Sequence, residues 1–98
     1  MTNLIDYLLN KTFATRPHKK NIVEHLYEQG RQFEFDQRQP KQAAKYYRLA
    51  ACEGHRPAQT ALAMLYIRGN GVKENRTLAL HWLEKAEQHK LIKLLQNY

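Results

Sequence analysis

LYEQG occupies residues 26–30 and LYIRG residues 65–69. The two strings end segments that both begin with proline: PHKKNIVEHLYEQG runs from Pro17 to Gly30, and PAQTALAMLYIRG from Pro57 to Gly69. The likeness continues downstream. Ala43, Tyr46 and Ala50 match Ala79, Trp82 and Ala86, with the same spacing of three and four. The first match is offset by 39 residues and the second by 36, so the connection after Gly30 is three residues longer than the one after Gly69. A structural repeat tolerates an insertion in a loop. The reading is a helix–turn–helix unit used twice.

Helical spacing of apolar residues, punctuated by proline and glycine, runs through the whole chain and leaves almost nothing for strands. Leu4, Ile5, Leu8, Leu9 and Phe13 predict an N-terminal helix, with Asn3 as its cap and Asp6 three residues on. Pro17 ends that segment. Ile22, Val23, Leu26 and Tyr27 predict a second helix that breaks near Gly30, and RQFEFDQRQ reads as a loop or a frayed helix end followed by a loop. Pro40 opens a third helix that stops at Gly54, and Pro57 opens a fourth that stops at GNG. Asn75 or Thr77 starts a fifth. The tail, KLIKLLQNY, is a short separate helix or a continuation.

The expected packing follows from residue size. Alanines 43, 50, 79 and 86 allow close helix approach, while Tyr46, Tyr47 and Trp82 fill the gaps between helices, with Tyr46 on the core side. Tyr27 and Tyr66 bury a ring and keep a hydroxyl wet. Gly30 and Gly69 supply the left-handed backbone that ends a helix.

These residues resemble the Sel-one-like repeats, a branch of the tetratricopeptide-like α-solenoids. In the second unit Ala58, Leu62, Tyr66, Gly69, Gly71, Val72, Ala79, Leu80, Trp82, Lys85 and Ala86 match the family pattern; the first unit matches from Gln42 to Gln59. Three departures stand out: Ala63 for a glycine, FEF for the G-x-G-V turn of the first unit, and Lys90 for the final glycine. The resemblance implies an all-α fold, a short solenoid of two repeats forming one domain over residues 1–98. Its parts are an N-terminal helix (1–16), repeat 1 (17–54), repeat 2 (57–90) and a C-terminal capping helix (91–98).

Composition bounds the function. The chain has 98 residues, 43% of them apolar, and a formal net charge of +7. That charge suits an acidic protein, nucleic acid or an anionic surface. A single cysteine, Cys52, forms no internal disulfide, and no apolar run approaches the roughly 20 residues of a membrane helix. The N-terminus lacks the features of a signal peptide. The expectation is a cytoplasmic protein. His18, His25, His55, His81 and His89 make no zinc pattern with Cys52, and His81 with Glu84 reads as a surface pair. GNGV lacks the lysine and hydroxyl residue of a phosphate loop. With no nucleophile, base and acid set, the chain reads as a non-enzyme without metal or cofactor.

Binding is then the expected task. Stacked helix pairs curve, with first helices on the concave face. Ala58, Leu62, Leu65 and Tyr66 face the core, which leaves Thr60, Met64, Ile67 and Arg68 open, matched on the second helix by Asn21, His25, Glu28 and Gln29. These eight residues predict a groove for a peptide or helix of a partner protein with an acidic or mixed surface. Lys41, Lys45 and Arg48 on the outer face, with Lys11, Arg16, Lys19 and Lys20 around the first connection, predict a basic patch. It supports an alternative reading as a small nucleic-acid-binding or regulatory protein. Leu91, Ile92, Leu94 and Leu95 put apolar surface at the tail, so the chain is expected to be a monomer or weak homodimer.

Overall fold

The structure, a computed structural model, is described over residues 19–96, with residues 89–94 described through their backbone alone. The expected N-terminal helix, with Asn3, Lys11 and Arg16, lies outside the described residues, as do Pro17, His18 and the last two residues. Four α-helices follow one another: α1 (Lys19–Arg31), α2 (Pro40–Cys52), α3 (Arg56–Arg68) and α4 (Arg76–Gln96). A π-helical turn, Gln32–Asp36, extends α1. Among the described residues there is no strand. The fold is all-α, as expected.

Each helix packs chiefly on its neighbour in sequence: α1 on α2, α2 on α3, α3 on α4. Alanines make this possible. Ala43, Ala50, Ala58 and Ala63 are fully buried and Ala44, Ala51 and Ala79 nearly so, which lets backbones approach closely. Leu62, Leu65 and Tyr47 fill the interior. Each fully buried leucine contributes about 1.5–3 kcal/mol of apolar burial. Trp82 is half-buried against this core, with the Lys85 ammonium 5.4 Å from its ring centre.

Helix ends follow local chemistry. Pro57 sits in the first turn of α3, where its missing N–H costs nothing. His55 caps that turn through its ring, Nδ1 accepting from the Ala58 amide at 3.2 Å. Nδ1 therefore carries a lone pair, and Nε2–H donates to Glu24 Oε2 at 2.8 Å, which ties α1 to the α2–α3 turn. Gly69 ends α3 with φ +64, and the Asn75 side chain caps α4 by accepting from the Leu78 amide at 2.9 Å. The tail continues α4 to Gln96 without a break, so no separate capping helix stands there.

Two expectations are corrected. Gly30 does not end its helix: its φ is not positive, and the helix runs on into the π turn. Its role is space, because a Cβ there would stand 2.6 Å from ring carbons of Tyr47. The extra residues after Gly30 are thus absorbed as helix, closed by Gln37 N–H donating to the Gln32 carbonyl at 3.0 Å, and the chain then turns at Arg38 with φ +54. The second correction concerns Tyr46. It is only half-buried, stacked on Phe33 at 5.3 Å, and Tyr47 holds the core position. The reason is that α2 is covered from two sides. Tyr47 lies midway between the Ala43–Ala50 row and the Ala44–Ala51 row, and Tyr46 lies outside the first row, on the side away from the second.

Candidate functional site

The first helices of the two repeats, α1 with its π turn and α3, form the walls of an open groove of about 520 Å³. Tyr27, Arg31, Glu34 and Phe35 line one wall; Pro57, Thr60, Ala61, Met64 and Arg68 line the other; Tyr47 of α2 reaches the floor. Phe35 is 62% exposed and Met64 36%. Two guanidinium groups, Arg31 and Arg68, stand beside these apolar side chains, with Arg31 6.0 Å from the Phe35 ring centre.

The one carboxylate in the groove is engaged from below. The Tyr47 hydroxyl donates to Glu34 Oε1 at 2.6 Å. Burial pushes the Tyr47 phenol far above the usual tyrosine range, and the bond to Glu34 adds to the shift. The folded phenol therefore ionises at higher pH than the unfolded one. Its contribution to stability is complete below the ordinary tyrosine value of 10.0 and is lost as pH rises beyond it. Urea titrations between neutral and strongly alkaline pH should show stability falling above that value, with a shallower fall for Tyr47→Phe than for the wild type. Equal slopes would show that Tyr47 does not couple folding to pH.

The structure divides the eight groove residues of the sequence reading. Thr60, Met64 and Arg68 come together as expected. Ile67 does not join them; it borders a separate hollow with Arg76, Ala79 and Leu80. At about 100° per residue the row 57, 60, 61, 64, 68 leaves position 67 on the flank. Asn21, His25 and Glu28 are exposed and Gln29 is half-buried, but none of the four lines the groove. Tyr27, Arg31, Glu34 and Phe35 take their place, because α1 runs through Gly30 and lengthens that wall. The repeated LYxxG string, read as a helix end, hid this wall.

The basic residues also separate. Lys19 and Lys20 border a hollow of about 570 Å³ with Glu24, Glu53 and His55, and Lys19 Nζ pairs with Glu53 Oε2 at 2.6 Å. At the other end of α2, Lys41, Lys45 and Arg48 line a groove of about 520 Å³ with Gln42, Ala44, Gly71 and Val72 and no acidic side chain. Arg48 donates from Nη2 to the Tyr66 hydroxyl at 3.2 Å across the α2–α3 seam. The described members of the expected patch therefore border two separate hollows, and Lys11 and Arg16 lie outside the described residues.

Among the described residues no group of three or more His, Cys, Asp or Glu side chains could hold a metal ion, and no helix is long and apolar enough to cross a membrane. Cys52 is a free, exposed thiol.

Comparison with curated proteins and with solved structures finds no match. The Sel1 repeat family model matches twice, over residues 25–55 and 56–89. The matches pair α1 with α2 and α3 with α4, within a stack in which each helix packs on its neighbour in sequence. Sel1 repeats are helical, tetratricopeptide-like units that generally mediate protein–protein interaction and are generally non-enzymatic. With both helix pairs matched over well over half its length, the chain belongs to the Sel1 repeat family.

Proposed function

We propose that this chain is an interaction adaptor that holds a segment of a partner protein in the groove between α1 and α3. One observation carries the reading: Phe35 and Met64, both apolar and open to solvent, face a common groove between Arg31 and Arg68. Apolar side chains exposed together in a concavity mark a binding surface better than scattered ones do. The partner's matching chemistry is an apolar anchor with acidic neighbours. We assign the working unit to one solenoid of two repeats, 17–54 and 57–90, followed by the tail as part of its last helix. We place it in the cytoplasm, in keeping with its lone unpaired cysteine.

The test is affinity capture from the native host with the wild-type chain and exposed-site variants. Met64→Glu should reduce recovery of the partner at least about tenfold, as for a central interface residue. Ile67→Glu, outside the groove, should leave it unchanged. Equal recovery with Met64→Glu would remove the groove from the account.

A second reading rests on the groove lined by Lys41, Lys45 and Arg48, whose three cations without an acid favour an anionic partner such as a nucleic-acid backbone. Three phosphate contacts predict a slope of about −2.7 for log affinity against log salt. An oligonucleotide titration that shows no binding at low salt would exclude it.

A further inference from the structure

A shift of 36 residues carries α2 onto α4: Pro40 and Arg76 open the two helices, and Ala44, Tyr47 and Ala51 fall on Leu80, Leu83 and Glu87. In the first repeat α3 reaches this row at Ala51, and Tyr47 in its middle also packs on Gly30 of α1. The three residues of the row are at most 2% exposed, and the Ala51 carbonyl accepts a hydrogen bond from Gln59 Nε2 at 3.1 Å. In the second repeat the row lies at the end of the stack. Leu80 is 58% exposed there and Glu87 is exposed, while Leu83 between them is half-buried against the core, with no further helix over the row among the described residues.

We propose that a second copy of this chain covers this row, α4 against α4, antiparallel about a two-fold axis. Three features of the row select a copy. A further repeat lying there as α3 lies on α2 would bury the Glu87 carboxylate where the internal seam has the Ala51 methyl, an unfavourable exchange. About a two-fold axis centred between Leu80 and Leu83, Leu80 of each copy meets Leu83 of the other, so the same apolar pair forms twice. The charges match as well. An antiparallel pairing centred between Leu80 and Leu83 brings Arg76 of each copy beside Glu87 of the other, which makes the row complementary to itself.

This surface is distinct from the groove that holds Met64, so either can fail without the other. Analytical ultracentrifugation of the full chain over a concentration series should show a monomer–dimer equilibrium. Leu80→Glu should raise the dissociation constant at least about a hundredfold, since two buried leucines are lost per dimer. Circular dichroism should show unchanged helicity for it, the site being exposed in the monomer. Charge reversal tests the geometry without touching the core. Arg76→Glu and Glu87→Arg should each weaken the dimer, and an equimolar mixture of the two variants should associate again. A wild-type chain that sediments as a monomer throughout overturns the proposal. So does a Leu80→Glu chain that still dimerises, or loss of the dimer on Leu95→Glu alone, which would move the interface to the tail.

Discussion

Replacing Gly71 by alanine is expected to lower the stability of the chain by about 3 kcal/mol or more. Two costs combine. Gly71 holds φ +77, a conformation that L side chains rarely adopt. By itself this costs about 1–2 kcal/mol. In addition, a Cβ at this position would run into the backbone carbonyl of Pro40 at the start of α2. Backbone cannot turn aside as a flexible side chain does, so either the 69–72 turn or the first turn of α2 must shift. Gly54 separates the two costs. Its φ is +86, but nothing stands within 4 Å of its would-be Cβ. Gly54→Ala should therefore lose only the conformational part, about 1–2 kcal/mol. Denaturant titrations of the two variants measure the difference. Equal losses would mean that the turn yields and that its contact with Pro40 is not a structural constraint.

The second large effect belongs to the Gly30–Tyr47 contact. Tyr47→Ala should cost about 3–5 kcal/mol, the range for removing a buried aromatic ring. For a domain of this size that lowers Tm by about 15 °C or more. Gly30→Ala should cost about 1–3 kcal/mol through overpacking against the ring. Without the ring the sign changes. A glycine inside a helix is less favourable than alanine by about 1 kcal/mol, so Gly30→Ala should stabilise the Tyr47→Ala chain. A double-mutant cycle by thermal and chemical denaturation reads this coupling directly. If Gly30→Ala is equally harmful in both backgrounds, the glycine is needed for its backbone and not for the room it leaves.

That contact also shows where sequence reasoning succeeds and where it stops. Proline, glycine and the alanine–aromatic spacing place every described helix and pair the helices into two units, because those signals act locally. The alanine rows are legible too: only small side chains let two helices touch along a seam. What fails is the inference from one repeat to its twin. LYxxG ends a helix at Gly69, where the next residues are Asn70 and Gly71, but continues at Gly30, where Arg31 and Gln32 keep helical backbone. The string is shared; its sequel is not. From that single difference follow the π turn, the Glu34–Tyr47 bond and the extension of the groove wall from Tyr27 to Arg31 and Phe35. The exchange of Tyr46 for Tyr47 has another cause. One position is about 100° of helix, and a helix covered on two sides buries a sector wider than one alanine row reveals.

Because each helix rests chiefly on its sequence neighbour, the architecture of the described residues is close to one-dimensional. Amide exchange should accordingly be graded, not uniform: slowest in α2 and α3, which are clasped from both sides, and faster toward the outer helices. Contacts so near in sequence also need little loop closure, so refolding should be fast for a chain of this length.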